Sequence, residues 1–246
     1  MCAIFQRMIA NNSYLIMAGI FLLVGIYSYQ GSILITAVIL FWSSIVFSFF
    51  WLLHFLKVNR SKDHASLFAR DSFLKQCVFG VVFLPFYAFR YLALLLQSFS
   101  NEEPISQVTD KIFIGQQLLW FHKKVFISKK IEAVLDVTIE NREPCFIASD
   151  KTIQYLRMPI LDKTSPSKEQ LENGASWGLE QVSQGRNLFV HCSAGHERSA
   201  TLVAAILLKA GDCNTLSEVV EKIRGVRPKT RFVGNQQEIL EKWFKG

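Results

Sequence analysis

The stretch Asn187-Leu-Phe-Val-His191-Cys192-Ser-Ala-Gly-His-Glu-Arg198-Ser-Ala-Thr201 decides the fold of the C-terminal half of the chain. Its opening apolar run predicts a buried β-strand. Small and polar residues follow, and an apolar helical pattern begins directly behind them. A loop between a strand and a helix N-terminus presents successive backbone N–H groups at the positive end of the helix dipole. The stretch therefore predicts an anion-binding loop.

The residue types in this loop predict chemistry on a phosphoryl group. Cys192 is expected to have a lowered pKa, because its thiolate is an anion that such a loop stabilises. Arg198 offers planar paired donors that suit phosphate oxygens. Ser199 can donate to the sulfur when it departs, and His191 can brace the loop from behind. We predict covalent phosphoryl transfer, with these four as catalytic residues and the phosphate held by Ser193, Ala194, Gly195, His196, Glu197 and Arg198.

The pattern H-C-x-x-G-x-x-R-S, placed after a strand and before a helix, resembles the cysteine-based protein tyrosine phosphatases. The short domain resembles their dual-specificity branch over about residues 105–245, including Lys111–Gly115 and Val226–Pro228. The resemblance implies hydrolysis of phosphotyrosine, phosphoserine or phosphothreonine in proteins through a phosphocysteine intermediate, with no metal or organic cofactor. Two alternatives stay open. One is a phospholipid headgroup substrate such as phosphatidylglycerophosphate, and the other is a catalytically silent phosphate-binding module.

A phosphatase of this type also implies a general acid that protonates the leaving oxygen and later activates water. Asp162 lies thirty residues before Cys192, at a predicted strand end that leads into a helix. The dual-specificity family carries its acid in such a position, so Asp162 is the predicted acid. Asp136, in a strand-like run, and Asp150, in a polar turn, are the rival candidates.

Strands interleaved with helices predict an α/β fold with a mostly parallel central sheet flanked by helices. The predicted strands are Lys111–Gly115, Ile131–Thr138, Ile153–Met158 and Asn187–Cys192. The predicted helices run from Pro166, with Ser165 as the N-cap, to about Ser183, and over Ser199–Lys209, Thr215–Arg224 and Gln236–Phe244.

The N-terminal part has a different composition, because the 49 residues from Met8 to Leu56 contain no Asp, Glu, Lys or Arg. A helix needs about 20 apolar residues to cross a bilayer, so this run has room for two. We predict a transmembrane hairpin with spans of about 14–29 and 33–55. A third apolar segment, 77–96, either crosses the membrane or lies in its interface.

This division predicts a membrane anchor over residues 1–97 and a phosphatase-like catalytic domain over 98–246. The basic loop after the second predicted span favours a cytoplasmic catalytic domain in a multi-pass membrane protein. Residues 1–97 carry seven basic and two acidic groups out of a net charge of +7, which leaves +2 for the remainder. A near-neutral catalytic domain argues against nucleic acid as a partner. The five cysteines have no C-x-x-C spacing, so no zinc site is predicted.

Overall fold

In the computed structural model, the structure describes residues 2–30, 34–55, 81–99, 102–139 and 143–245. The chain divides into two compact units, Met1–Ala93 and Leu94–Gly246.

The N-terminal unit is built on two long helices, α1 (Cys2–Gln30) and α2 (Leu34–Phe55). They pack against each other around a small apolar cluster that includes Ala18 and Phe47. The ring of Phe47 lies 5.3 Å from that of Phe21. A third helix, α3, covers Leu84–Ser98.

The two long helices overlap the predicted spans 14–29 and 33–55. Among the residues that the structure describes, however, none forms a helix with both the length and the apolar character needed to cross a membrane. The predicted transmembrane hairpin and multi-pass membrane localisation are therefore not supported. The third apolar segment is helical over the 15 residues of α3. The basic loop behind the predicted cytoplasmic orientation falls in residues 56–80, outside the described residues.

The C-terminal unit contains a five-stranded mixed sheet. Its strands are β1 (Ile105–Gln107), β2 (Ile112–Gly115), β3 (Ile131–Asp136), β4 (Gln154–Arg157) and β5 (Asn187–His191), in the order β1-β2-β5-β3-β4. The pairs β2/β5, β5/β3 and β3/β4 are parallel, which agrees with the predicted sheet. The strand β1 was not predicted, because its three residues lie in a polar stretch; it pairs antiparallel with β2 and makes the sheet mixed.

The strand β5 lies at the centre of the sheet, between β2 and β3. Its apolar residues Leu188, Phe189 and Val190 are fully buried. A central parallel strand is covered on both faces, which explains its continuous rather than alternating apolar pattern. This strand delivers His191 and then Cys192 to the carboxyl edge of the sheet, the usual place for a ligand site in such folds.

Helices cover the sheet. The central one is α7 (Arg198–Ala210), whose residues from Ala200 to Leu208 are almost completely buried. The helix α6 (Lys168–Ser183) packs closely on α7, and a Cβ at Gly174 in α6 would lie 2.5 Å from the side chain of Leu202 in α7. The helices of this unit are α4 (Lys123–Ser128), α5 (Cys145–Ala148), α6 (Lys168–Ser183), α7 (Arg198–Ala210), α8 (Leu216–Val226) and α9 (Gln236–Phe244), with a 3₁₀ turn over Trp120–His122.

The start of α6 differs from the prediction. The N-cap is Ser167 rather than Ser165, so Pro166 lies before the helix and not in its first turn. The hydroxyl of Ser167 accepts from the backbone N–H of Gln170 at 3.1 Å, and the Gln170 side chain accepts from the Ser167 N–H at 2.9 Å. This reciprocal capping box satisfies two backbone donors at once, which the predicted cap does not do.

Candidate active site

The loop that joins β5 to α7 is held from outside by its carbonyl groups. Four consecutive carbonyl oxygens, those of residues 193–196, each accept a hydrogen bond from a group beyond the loop. Because these carbonyls point outward, the intervening amides are left to face Cys192. The donors are the Gln117 N–H to Ser193 (3.0 Å), the Gln97 side-chain amide to Ala194 (2.8 Å), the Arg227 guanidinium to Gly195 (2.7 Å) and the Arg231 N–H to His196 (3.0 Å).

The sulfur of Cys192 lies at the centre of this loop, 2% exposed. The Gly195 N–H donates to it at 3.1 Å, and the Ser199 hydroxyl donates to it at 3.3 Å. Burial alone would raise the pKa of Cys192. The positive charge of Arg198 and the hydrogen bonds from Ser199 and Gly195 outweigh burial, so the pKa of this thiol is lowered. The thiolate, which is the nucleophilic form, is therefore favoured.

Gly195 is needed by the shape of the loop. Its φ is +77°, a left-handed conformation that glycine adopts at little cost. A Cβ at this position would lie 2.4 Å from the backbone of Gly115, at the end of β2. The loop can therefore pack on the sheet edge only with glycine here.

Arg198 and Asp162 meet at the mouth of the site. Arg198 is 1% exposed and donates from Nη1 to the carbonyl of Ile160 at 2.8 Å. Its Nη2 lies 3.1 Å from Oδ1 of Asp162, whose side chain is 24% exposed. The structure thus brings the predicted acid to the predicted phosphate-binding arginine, whose positive charge also lowers the pKa of Cys192.

The segment that carries Asp162 is positioned by β3. The N–H of Met158 donates to Asp136 O at 2.8 Å, and the N–H of Ile160 donates to Val137 O at 3.3 Å. This pairing continues beyond the end of β4 and carries the chain to the same sheet edge as Cys192.

His191 lies behind the loop and is fully buried. Its Nε2 is 2.8 Å from Oε1 of Glu143 and 4.0 Å from Oδ1 of Asp136. Burial alone would lower the pKa of His191, but the two carboxylates, with a smaller contribution from Cys192, raise it to about 9. A protonated imidazole therefore stands next to the nucleophile in sequence, on the buried side of the loop.

Asp136, Glu143 and His191 form a cluster that resembles a metal site in its residue types. In the described part of the chain it is the one group of three or more His, Cys, Asp or Glu residues whose potential metal-binding atoms lie within 4.8 Å of one another. Asp136 already accepts at Oδ1 from the N–H and the hydroxyl of Thr138, both at 2.7 Å, and at Oδ2 from Tyr155 at 2.8 Å. Since both of its oxygens are engaged, the cluster fits a buried hydrogen-bonded ion network better than a metal centre.

His196 and Glu197 turn their side chains away from the loop interior. His196 Nε2 lies 2.6 Å from Oε2 of Glu102, and Glu197 Oε1 lies 2.7 Å from Nε of Arg231. Burial lowers the pKa of His196, although Glu102 opposes this effect. The neutral form of this imidazole is therefore favoured.

The two rival acids lie elsewhere. Asp136 is fully buried in the network behind the loop, and Asp150 accepts from the Thr152 hydroxyl in an exposed turn. Sequence reasoning did not identify the roles of Glu143, Gln97 or Arg227. Of these three, only Arg227 could have been found from the sequence, because it belongs to the Val226–Pro228 segment that resembles the phosphatase family.

Comparisons with known proteins match the C-terminal part of the chain to phosphatases. A family model described as the catalytic domain of dual specificity phosphatases matches residues 112–245. In rat, phosphatidylglycerophosphatase and protein-tyrosine phosphatase 1 is 34% identical over 94 residues, which are 38% of this chain and 48% of the relative. In mouse, dual specificity protein phosphatase 18 is 29% identical over 107 residues, 43% of this chain and 54% of the relative. The chain thus spans about half the length of these curated relatives.

Solved structures share the fold of the C-terminal unit. The crystal structure of PTPMT1 in complex with PI(5)P aligns with a TM-score of 0.53 and 22% identity, over 58% of this chain and 96% of the other. The active form of Tk-PTP aligns with a TM-score of 0.53 and 23% identity, over 58% of this chain and 97% of the other. With a family model that covers more than half of its residues, the chain belongs to the dual specificity phosphatase family of cysteine-based phosphatases.

Proposed function

We propose that this chain hydrolyses phosphomonoesters through a phosphocysteine intermediate. One observation carries the proposal: the sulfur of Cys192 accepts hydrogen bonds from Gly195 and Ser199 in a loop whose carbonyls point away from it. A lowered thiol pKa and a buried guanidinium close by are the requirements for attack on a phosphoryl group. A silent binding module would need neither a nucleophilic sulfur nor a carboxylic acid at the mouth of its site.

The reaction runs in two displacements. The Cys192 thiolate attacks phosphorus, the S–P bond forms, and the P–O bond to the leaving group breaks while Asp162 gives its proton to the departing oxygen. Asp162, now a carboxylate, takes a proton from water, and the resulting oxygen attacks phosphorus and breaks the S–P bond. Ser199 donates to the sulfur as it leaves as a thiolate, and Arg198 holds the phosphoryl oxygens throughout.

Phosphorylated proteins and phospholipid headgroups are the two candidate substrate classes. Membership in the dual specificity family favours phosphotyrosine, phosphoserine or phosphothreonine. The name of the rat relative mentions both phosphatidylglycerophosphate and protein-tyrosine phosphatase activity, and the PTPMT1 structure is a complex with PI(5)P, so a phospholipid is the second candidate. A panel of one phosphopeptide of each kind, phosphatidylglycerophosphate and phosphatidylinositol monophosphates separates the classes by their kcat/KM values.

The Cys192→Ser variant tests the reaction itself. We expect it to lose hydrolysis of a generic aryl phosphate by a factor of at least about 10⁴, because a hydroxyl at this position is not ionised near neutral pH. Inorganic phosphate should still bind to the variant. The matched control is Cys145→Ser, at an exposed free cysteine outside the site. A full-length chain that is folded and inactive under reducing conditions would favour the silent binding module.

A further inference from the structure

A short exposed segment beside the site combines aromatic side chains with lysines. Trp120 is 72% exposed, Phe121 40% and Ile127 60%, although each is a large apolar residue. Lys123 and Lys124 lie between them and are exposed too. We call these five residues the Trp120 surface.

Buried residues next to the Trp120 surface in the sequence hold it in place. Leu118, Leu119 and Phe126 are buried in or beside the apolar core. The ring nitrogen Nδ1 of His122, also buried, accepts from the N–H of Leu119 at 3.0 Å and fixes the turn before α4. Lys123, Lys124 and Ile127 lie on the short helix α4, and Trp120 and Phe121 lie in the 3₁₀ turn directly before it. The exposed rings are thus presented outward by a well-packed turn and are not on a loose loop.

The stretch of sequence that contains this surface is rich in lysine. Residues 111–131 contain five lysines and no Asp or Glu. Within the described part of the chain, neither Lys123 nor Lys124 is paired with a carboxylate. The remaining residues of 98–246 hold 15 basic and 18 acidic groups. The positive charge is therefore concentrated where the apolar rings are exposed.

Indole and phenyl rings flanked by lysines match the chemistry of an anionic bilayer surface. Tryptophan prefers the headgroup level of a membrane, where its ring is partly buried and its N–H stays in a polar environment. Lysines beside it gain about 1 kcal/mol each near anionic headgroups, a gain that a neutral bilayer does not give. An acidic protein partner would use the lysines, but a bilayer also offers an apolar boundary layer for exposed aromatic and aliphatic side chains.

The position of the surface relates it to the catalytic loop. The N–H of Gln117 donates to Ser193 O in that loop at 3.0 Å. Trp120 follows three residues later, so its backbone lies within about 11 Å of this contact. The Trp120 surface therefore lies near the catalytic loop in the fold.

From these observations we infer that the Trp120 surface docks the phosphatase unit onto anionic phospholipid bilayers. The inference deepens the proposed function, since it places the phosphatase unit at a membrane surface that carries phosphate esters. It rests on the proposed function only for that consequence, because docking itself needs no catalysis.

Binding to vesicles tests the docking surface with the full chain carrying Cys192→Ser, so that the result does not depend on hydrolysis. Flotation compares vesicles of phosphatidylcholine with vesicles of phosphatidylcholine and phosphatidylglycerol at 3:1. We expect Lys123→Gln with Lys124→Gln to reduce the affinity for the anionic vesicles by about 30-fold and to leave binding to the neutral vesicles unchanged. The matched control is Lys151→Gln with Lys168→Gln, which removes the same charge from exposed positions elsewhere in the unit.

Fluorescence tests the apolar part independently of charge. Lipids brominated near the headgroup quench a tryptophan that enters the boundary layer. We expect quenching in anionic vesicles to be clearly weaker for Trp120→Phe than for the unaltered surface, and to be unaffected by Phe244→Ser, at another exposed aromatic residue. Thermal unfolding midpoints verify that each variant folds.

Equal anionic-vesicle affinity for the two lysine pairs, or equal quenching with and without Trp120, would overturn the inference and point to a protein as the occupant. Failure of the proposed function leaves a separate trace. In that case the Trp120 surface still binds anionic vesicles, while the chain with Cys192 intact hydrolyses no aryl phosphate.

Discussion

The contact between Asp162 and Arg198 places a carboxylic acid beside the phosphate-binding arginine, so the role of Asp162 as the general acid can be tested directly. Replacing Asp162 with Asn keeps the size of the side chain and removes the acidic proton. We expect kcat for phosphate esters with poor leaving groups to fall about 100-fold or more, because the leaving oxygen is no longer protonated. Esters with good leaving groups should lose much less. The measurement is kcat over a series of aryl phosphates whose phenols differ in pKa.

Asp150→Asn is the control for this series. Asp150 lies in an exposed turn, where its carboxylate accepts from the N–H and the hydroxyl of Thr152. The two variants should differ most for the poorest leaving group. If Asp162→Asn matched Asp150→Asn there, another group would have to be the acid.

His191 supports a prediction about pH. Its pKa is about 9 in the folded chain and about 6.5 when the chain is unfolded. The folded state therefore holds this proton more tightly, and the stability gained is fully present below pH 6.5 and lost as pH rises through about 9. We expect the difference in unfolding free energy between the unaltered chain and His191→Asn to shrink by roughly 3 kcal/mol between pH 6.5 and 9.5.

Denaturant unfolding at a series of pH values measures this difference. His122→Asn is the matched control, since burial lowers the pKa of His122 and its contribution should not change above pH 7. A His191→Asn difference that is flat over the same range would mean that the imidazole is neutral in the folded chain.

At the scale of elements, the junction between the catalytic loop and the end of β2 has no room for a side chain. Gly195→Ala places a Cβ 2.4 Å from the backbone of Gly115, so the loop must shift. We expect kcat to fall at least about 10-fold, because the amides that face Cys192 move with the loop. Gly211→Ala is the control, with almost the same φ of +76° and no atom within 4 Å of its Cβ.

Both alanine variants bear the cost of a left-handed backbone, about 1 to 2 kcal/mol. Only Gly195→Ala should also lose activity, so unfolding free energies and kcat must be measured together. A Gly195→Ala chain as active as Gly211→Ala would show that the loop tolerates the movement.

The same scale shows which elements sequence patterns predict. The four parallel strands and the last three helices were predicted to within a few residues, because continuous apolar runs and capping residues depend on neighbours in the chain. β1 was missed, since its three residues gain their strand conformation only from pairing with β2. The N-cap was misplaced at Ser165 because serines on either side of Pro166 could each serve, and the reciprocal bonds with Gln170 select Ser167.

For the whole molecule, the apolar clusters of the phosphatase unit are made from residues 105–240, and in the described part of the chain none of their members comes from residues 2–93. We therefore expect Leu94–Gly246, produced alone, to unfold in one cooperative transition and to hydrolyse an aryl phosphate within about threefold of the full-chain rate. Calorimetry and steady-state kinetics on both proteins measure this.

A shorter fragment that begins at Ile105 is the control, because it lacks Gln97 and Glu102, which contact the catalytic loop. It should be less active than the longer fragment. An unfolded Leu94–Gly246 fragment would show that the N-terminal unit contributes to the stability of the phosphatase unit.

The candidate site was predictable where chemistry is concentrated in a short motif, as it is from His191 to Ser199. Its surroundings were not, because Glu143, Gln97 and Arg227 reach the loop from distant parts of the chain. Only the tertiary fold determines which of many polar residues make those contacts. The membrane hairpin was predicted from the absence of charged residues between Met8 and Leu56. It is not supported, because no helix in the described part of the chain is both long enough and apolar enough to cross a membrane.

The outward bonds of the catalytic loop have a consequence for how natural variation in this chain should be interpreted. The side chains of Gln97 and Arg227 hold one loop from positions 130 residues apart. Inherited substitutions that silence the enzyme should therefore be scattered along the gene rather than grouped at the signature motif. A survey restricted to that motif would classify many damaging alleles as harmless.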